Sequence, residues 1–114
     1  MRVRKFSPLQ IPANNVPNTV RFYREVFDLP TEFGINEARH LYFNKQSIVF
    51  NEAPDADPIT VQVVVRDHKD TVINHFINYE VKQAKPATES EDSRHIVFHI
   101  DDIDGNHIEV IANK

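Results

Sequence analysis

Asp102-Ile103-Asp104-Gly105-Asn106-His107-Ile108-Glu109-Val110 is the stretch on which the fold turns. Asp104-Gly105-Asn106 supplies residues that tolerate a tight reversal, including a positive φ. Beyond it, apolar Ile108 and Val110 alternate with His107 and Glu109, the period of a half-buried strand. Before it, Ile96, Phe98 and Ile100 alternate with His95, Val97 and His99. The stretch therefore reads as a closing hairpin, strand 94–100 returning along 107–111. One face is apolar, and the other presents histidines and Glu109.

Working outward, two segments have helical periodicity. Val16, Val20, Tyr23 and Phe27 form one apolar stripe. Asn15 is its expected N-cap, Pro17 suits an early helical position, and Leu29-Pro30 ends it. The second helix is expected over 69–81, with Val72, Ile73, Phe76, Ile77 and Val81 inward and Asp67 or Asp70 as cap. Strands are expected at 5–11, 31–35, 39–44 and 47–51, then at 59–65, weakly at 84–88, and in the hairpin. Residues 51–58 link the halves, and 86–93 reads as a polar loop.

The order β-α-β-β-β thus occurs twice, and the halves echo one another. Leu9-Gln10-Ile11 matches Val61-Gln62-Val63, and Thr19-Val20 matches Thr71-Val72 at the same offset. Arg39-His40-Leu41-Tyr42-Phe43 matches Arg94-His95-Ile96-Val97-Phe98. Short matches in the same order on matching elements point to internal duplication.

Composition sets bounds on function. A chain of 114 residues, 40% hydrophobic and 26% charged, makes one domain (1–114) rather than two. Its modules span about 1–52 and about 58–114. The net charge of −4 is spread along the chain without a basic stripe, so no nucleic-acid partner is expected. With no cysteine there is no disulfide, thiolate nucleophile or thiolate metal site. No signal-like or membrane-spanning run is present, and a cytoplasmic location is the expectation. No Gly-rich phosphate loop or serine-nucleophile motif occurs.

Two stretches resemble the vicinal oxygen chelate superfamily of glyoxalases, bleomycin-resistance proteins and extradiol dioxygenases. Leu9-Gln10-Ile11-Pro12 with Thr19–Leu29 is similar to the family's first strand and "FYxxxLGL" helix end. Asp102–Val110 is similar to its "DPDGNxIEL" hairpin, with Ile103 in place of the usual proline. The resemblance implies an α+β fold of two tandem βαβββ modules. A curved mixed sheet would surround a concave pocket, with helices on the outer face. It also implies a small-molecule ligand or substrate and a possible homodimer.

In that family a divalent ion polarises two neighbouring substrate oxygens. The ligand positions correspond here to Phe6, Val49, residues 58–60 and Glu109. Only Glu109 has ligand chemistry, and a catalytic ion normally takes three protein ligands. The usual metal site is therefore expected to be lost, and no metal or other cofactor is assigned.

Strand alternation places His40, Tyr42, His95, His99, His107 and Glu109 on the face opposite the core. An antiparallel sheet can simply show such a face to water. Read as a pocket, it offers Glu109 and His99 as candidate catalytic groups, paired for acid–base work or joined in a non-standard His/Glu metal site. Tyr42, His95 and His40 are candidate ligand-binding groups, and Phe6 a pocket wall. Three functions remain open: a metal-independent small-molecule binding protein, a lyase, isomerase or dioxygenase-type enzyme, and a vestigial pocket with a protein-interaction surface.

Overall fold

The first strand joins the two halves of the molecule. In the computed structural model, which describes residues 1–30, 40–43 and 45–114, the expected strand 5–11 is two strands. β1 (Val3–Ser7) and β2 (Gln10–Ala13) flank Pro8, which has no N–H to give a ladder. β1 runs antiparallel to β5 (Thr60–His68), while β2 runs parallel to β4 (Gln46–Glu52). One continuous stretch of chain thus contributes to both sheets.

The five-stranded sheet has the order β1-β5-β8-β7-β6, with β6 at Gln83–Glu89, β7 at His95–Asp101 and β8 at His107–Asn113. The three-stranded sheet has the order β2-β4-β3, with β3 at His40–Phe43. The expected strand 31–35 lies outside the described residues. The duplication shows in the pairing. Gln10 lies beside Val49 across a parallel pair just as Gln62 lies beside Glu109. The described residues make a mixed α+β fold of two helices and eight strands, with no closed barrel.

Helix α1 (Val16–Phe27) follows its sequence signals closely. The Asn15 side chain accepts from the Asn18 N–H at 3.1 Å, and the stripe of Val16, Val20, Tyr23 and Phe27 is buried. The helix ends when Asp28 adopts a left-handed conformation (φ 52°). Helix α2 (Lys69–Asn78) is shorter than expected. It stops before Tyr79, and Glu80 turns the chain at φ 55°, leaving Ile77 68% exposed. Only Val72 and Phe76 of its expected apolar face are fully buried. Its cap is His68, whose Nδ1 accepts from the Asp70 N–H at 3.2 Å. Asp67 is instead buried, accepting from the Arg2 N–H at 2.8 Å.

The polar stretch expected as a loop begins as strand. β6 continues to Glu89, as an exposed edge on which Pro86 is tolerated. Both sheets and both helices share one core, from Ile11, Tyr23 and Phe50 to Phe76, Phe98 and Val110.

The closing turn fastens this core. Asp102 is buried, and its Oδ1 accepts from the backbone N–H groups of Asp104 (2.8 Å) and Asn106 (2.9 Å). Its Oδ2 accepts from the Tyr23 hydroxyl at 2.7 Å and from Asn106 Nδ2 at 2.9 Å. Asn106 Nδ2 also donates to the Pro12 carbonyl at 3.1 Å, while its Oδ1 accepts from the Ile59 N–H at 3.0 Å. Asp104 accepts from Thr19 Oγ1 and from the Asn14 N–H. Gly105, at φ 85°, makes the reversal. The most recognisable motif in the sequence is thus a clamp between the modules.

Candidate functional site

Alternation along β7 and β8 sorts their side chains. Phe98, Ile100, Ile108 and Val110 enter the core, so His99, Asp101, His107 and Glu109 project from the other face. The register sets His99 opposite Glu109 and Asp101 opposite His107. Parallel β5 adds Gln62 beside Glu109 and Thr60 beside His107.

The side chains converge. One donor atom each from His99, His107 and Glu109 lies within 4.8 Å of the others. The two imidazole planes are 15° from parallel, with centroids 5.3 Å apart. His99 Nδ1 is 3.2 Å from His107 Nε2, and His99 Nε2 is 3.1 Å from Thr88 Oγ1 on β6. His107 Nδ1 is 3.3 Å from Asp101 Oδ1. Gln62 Nε2 donates to Glu109 Oε1 at 3.0 Å.

With both imidazoles neutral, Asp101 fixes the direction of this chain. A carboxylate oxygen only accepts, so His107 carries its proton on Nδ1. His107 Nε2 is then an acceptor, and His99 donates to it from Nδ1. His99 Nε2 is left to accept from the Thr88 hydroxyl. The result is a polarised row, Thr88 to His99 to His107 to Asp101, with Glu109 alongside.

His99 is only 4% exposed, covered by β6 and His107. Burial holds its imidazole below the usual 6.5, with Lys85 and His107 acting in the same direction and Glu109 opposing them. The sign of the pH dependence follows. The unfolded ring protonates first, so the stability due to neutral burial is complete above pH 6.5 and is lost as pH falls through the lower folded value. Urea midpoints taken from about pH 8 to about pH 5 should drop more steeply for wild type than for His99→Gln. Parallel curves would contradict the burial of a neutral ring.

The other candidates are dispersed. Phe6 is not a pocket wall: it is 5% exposed and packs edge-on against Tyr23 and Phe27 in the core. Ser7, paired with Gln62, takes the open face instead. Tyr42 lines a separate cavity of about 290 Å³ with Met1, Val3 and the end of α1. His95, at the far end of β7, lies 3.6 Å from Asp92. His40 is in β3, but its side chain is outside the described residues. His107, assigned no role in the sequence, is central here. Its position two residues before Glu109 on one strand was the available signal.

The family's usual metal positions do not fit an ion. Phe6 is buried hydrocarbon, Val49 is apolar, and of the remaining positions only Glu109 carries a carboxylate. A cleft of about 500 Å³ lies elsewhere, between α1 and the Tyr79–Ala84 segment, and reaches this group only through Asp101.

Solved structures carry the same fold. A lactoylglutathione lyase from Agrobacterium tumefaciens matches 90% of this chain over 89% of its own, at 16% identity and TM-score 0.72. A glyoxalase/bleomycin resistance protein from Catenulispora acidiphila matches 92% over 95%, at 16% identity and TM-score 0.69. An integron cassette protein from V. cholerae matches 100% over 98%, at 18% identity and TM-score 0.72. No protein-family model and no curated protein sequence matches the chain. The chain therefore has the fold of the vicinal oxygen chelate proteins.

Proposed function

We propose that the protein binds a small polar molecule on the open face of the five-stranded sheet, without an ion at the family's usual metal positions. One observation carries this reading. His99, His107 and Glu109 converge on the sheet face opposite the hydrophobic core. Two imidazoles and a carboxylate together offer donors and acceptors for a carbonyl, carboxylate or hydroxyl.

A second reading, proton-transfer catalysis, is favoured by the polarised row ending on Asp101. A buried ring that favours the neutral state can act as a base, and the row gives the proton an exit through His107. The neighbours whose structures match include a lactoylglutathione lyase and an oxidase, which widens the chemistry worth screening.

The test is a panel of 2-oxoaldehyde–thiol adducts, catechols and epoxides, scored for both thermal stabilisation and turnover. A compound of this kind should stabilise the wild type and lose that effect in Glu109→Gln. Turnover that disappears in His99→Gln while binding persists would establish the second reading. A panel without effect, or a hit indifferent to both substitutions, would count against the site.

A further inference from the structure

We infer that His99, His107 and Glu109 form a binding site for a divalent transition-metal ion, displaced from the family's usual metal positions and sharing only Glu109 with them. The donor spacing suits it. In a tetrahedral site with bonds of about 2.0–2.1 Å, neighbouring donors lie about 3.3 Å apart. His99 Nδ1 and His107 Nε2 are 3.2 Å apart, and a Glu109 oxygen lies within 4.8 Å of one ring nitrogen of each histidine. Two imidazoles and one carboxylate leave at least one coordination position open for an outside ligand. The imidazoles select a transition ion such as Zn²⁺ over Mg²⁺ or Ca²⁺.

The surroundings are already those of metal ligands. A ligating histidine normally gives its other N–H to a carboxylate, carbonyl or water, which fixes the ring and raises its basicity. His107 has Asp101 on Nδ1, leaving Nε2 for the ion. His99 has Thr88 on Nε2, leaving Nδ1. Gln62 holds Oε1 of Glu109, and among the described residues the second oxygen has no hydrogen-bond partner. All three ligands thus have a supporting partner.

Protons balance as well. In the metal-free state His99 carries its proton on Nδ1 and donates to His107. With the ion bound, that proton moves to Nε2 and is donated to the Thr88 oxygen, whose hydroxyl rotates away. His99 remains neutral, and His107 keeps its tautomer.

The inference rests on the same side chains as the proposed binding site, but its test needs no organic ligand. Chelator-stripped whole protein is titrated with Zn²⁺, and in parallel with Mg²⁺, by calorimetry and thermal unfolding. We expect one Zn²⁺ per chain, a higher midpoint, no response to Mg²⁺, and movement of the His99 proton from Nδ1 to Nε2 in imidazole ¹⁵N spectra. His107→Gln and Glu109→Gln, at half-exposed positions that should fold, each weaken binding at least about tenfold. Asp101→Asn weakens it about 10–100-fold through its ligand, while His95→Gln and His68→Gln change nothing. Binding that survives His107→Gln and Glu109→Gln, or no stoichiometric binding at all, overturns the inference. The two proposals separate cleanly. Zn²⁺ without effect beside an active compound panel sinks this one alone. Zn²⁺ bound beside a silent panel sinks the other.

Discussion

Replacing Asp102 with alanine should remove about 3–5 kcal/mol of stability, enough to leave a domain of this size barely folded. Four donors converge on this one buried carboxylate: two backbone N–H groups, the Asn106 amide and the Tyr23 hydroxyl. Water cannot readily replace them, since Tyr23 and Asn106 are almost fully buried. Burial first, and then the Asp102 carboxylate, push the Tyr23 hydroxyl well above its usual value, so Tyr23 stays a donor. Asp102→Asn should cost nearly as much, because its NH₂ group would face a hydrogen-bond donor wherever it points. Tyr23→Phe removes one donor only and should cost about 1–2 kcal/mol. Urea denaturation of the three variants provides the check. A loss below about 1 kcal/mol for Asp102→Ala would mean the clamp does not hold the modules together.

Phe6→Ala is the second large effect. Removing a ring packed against Tyr23 and Phe27 should cost about 3–5 kcal/mol by leaving a cavity, with Phe6→Leu costing clearly less. Below the unfolding temperature, neither should alter binding at His99, His107 and Glu109. The opposite pattern, unchanged stability with lost ligand binding, would return Phe6 to the pocket.

Phe6 also shows where the sequence became illegible. A continuous strand over 5–11 puts Phe6 and Ile11 on opposite faces, because they are an odd number of residues apart. Both are buried, since the chain leaves one sheet and enters the other around Pro8, which resets the alternation. No local periodicity signals that crossover. Tyr42 lies apart from the trio for a related reason. Its face was readable, but its neighbours, Met1, Val3 and the end of α1, come from distant parts of the chain.

The second half was far more transparent. Alternation on β7 and β8 identified the core face, and the turn residues fixed the hairpin. Val49 and Glu109, set at corresponding ligand positions by the resemblance, are also structurally equivalent, as their pairing with Gln10 and Gln62 shows. The pairing of His99 with Glu109 also emerged, but the trio did not. Its third member follows from the strand period alone, whereas its partners Asp101 and Thr88 depend on the registers of β7 with β8 and of β6 with β7. Irregularities in the β6–β7 register, between Gln83 and Lys85 and between Lys85 and Thr88, make Thr88 unreachable by counting residues.

The hydrogen-bonded row is tested most directly by a long-range ¹H–¹⁵N spectrum of the imidazoles in metal-free protein near neutral pH. His99 and His107 should both carry their proton on Nδ1, with the His99 Nδ1–H protected from exchange by its bond to His107. If both rings instead carry the proton on Nε2 and exchange freely with water, they are independent surface groups, and the site described above does not exist.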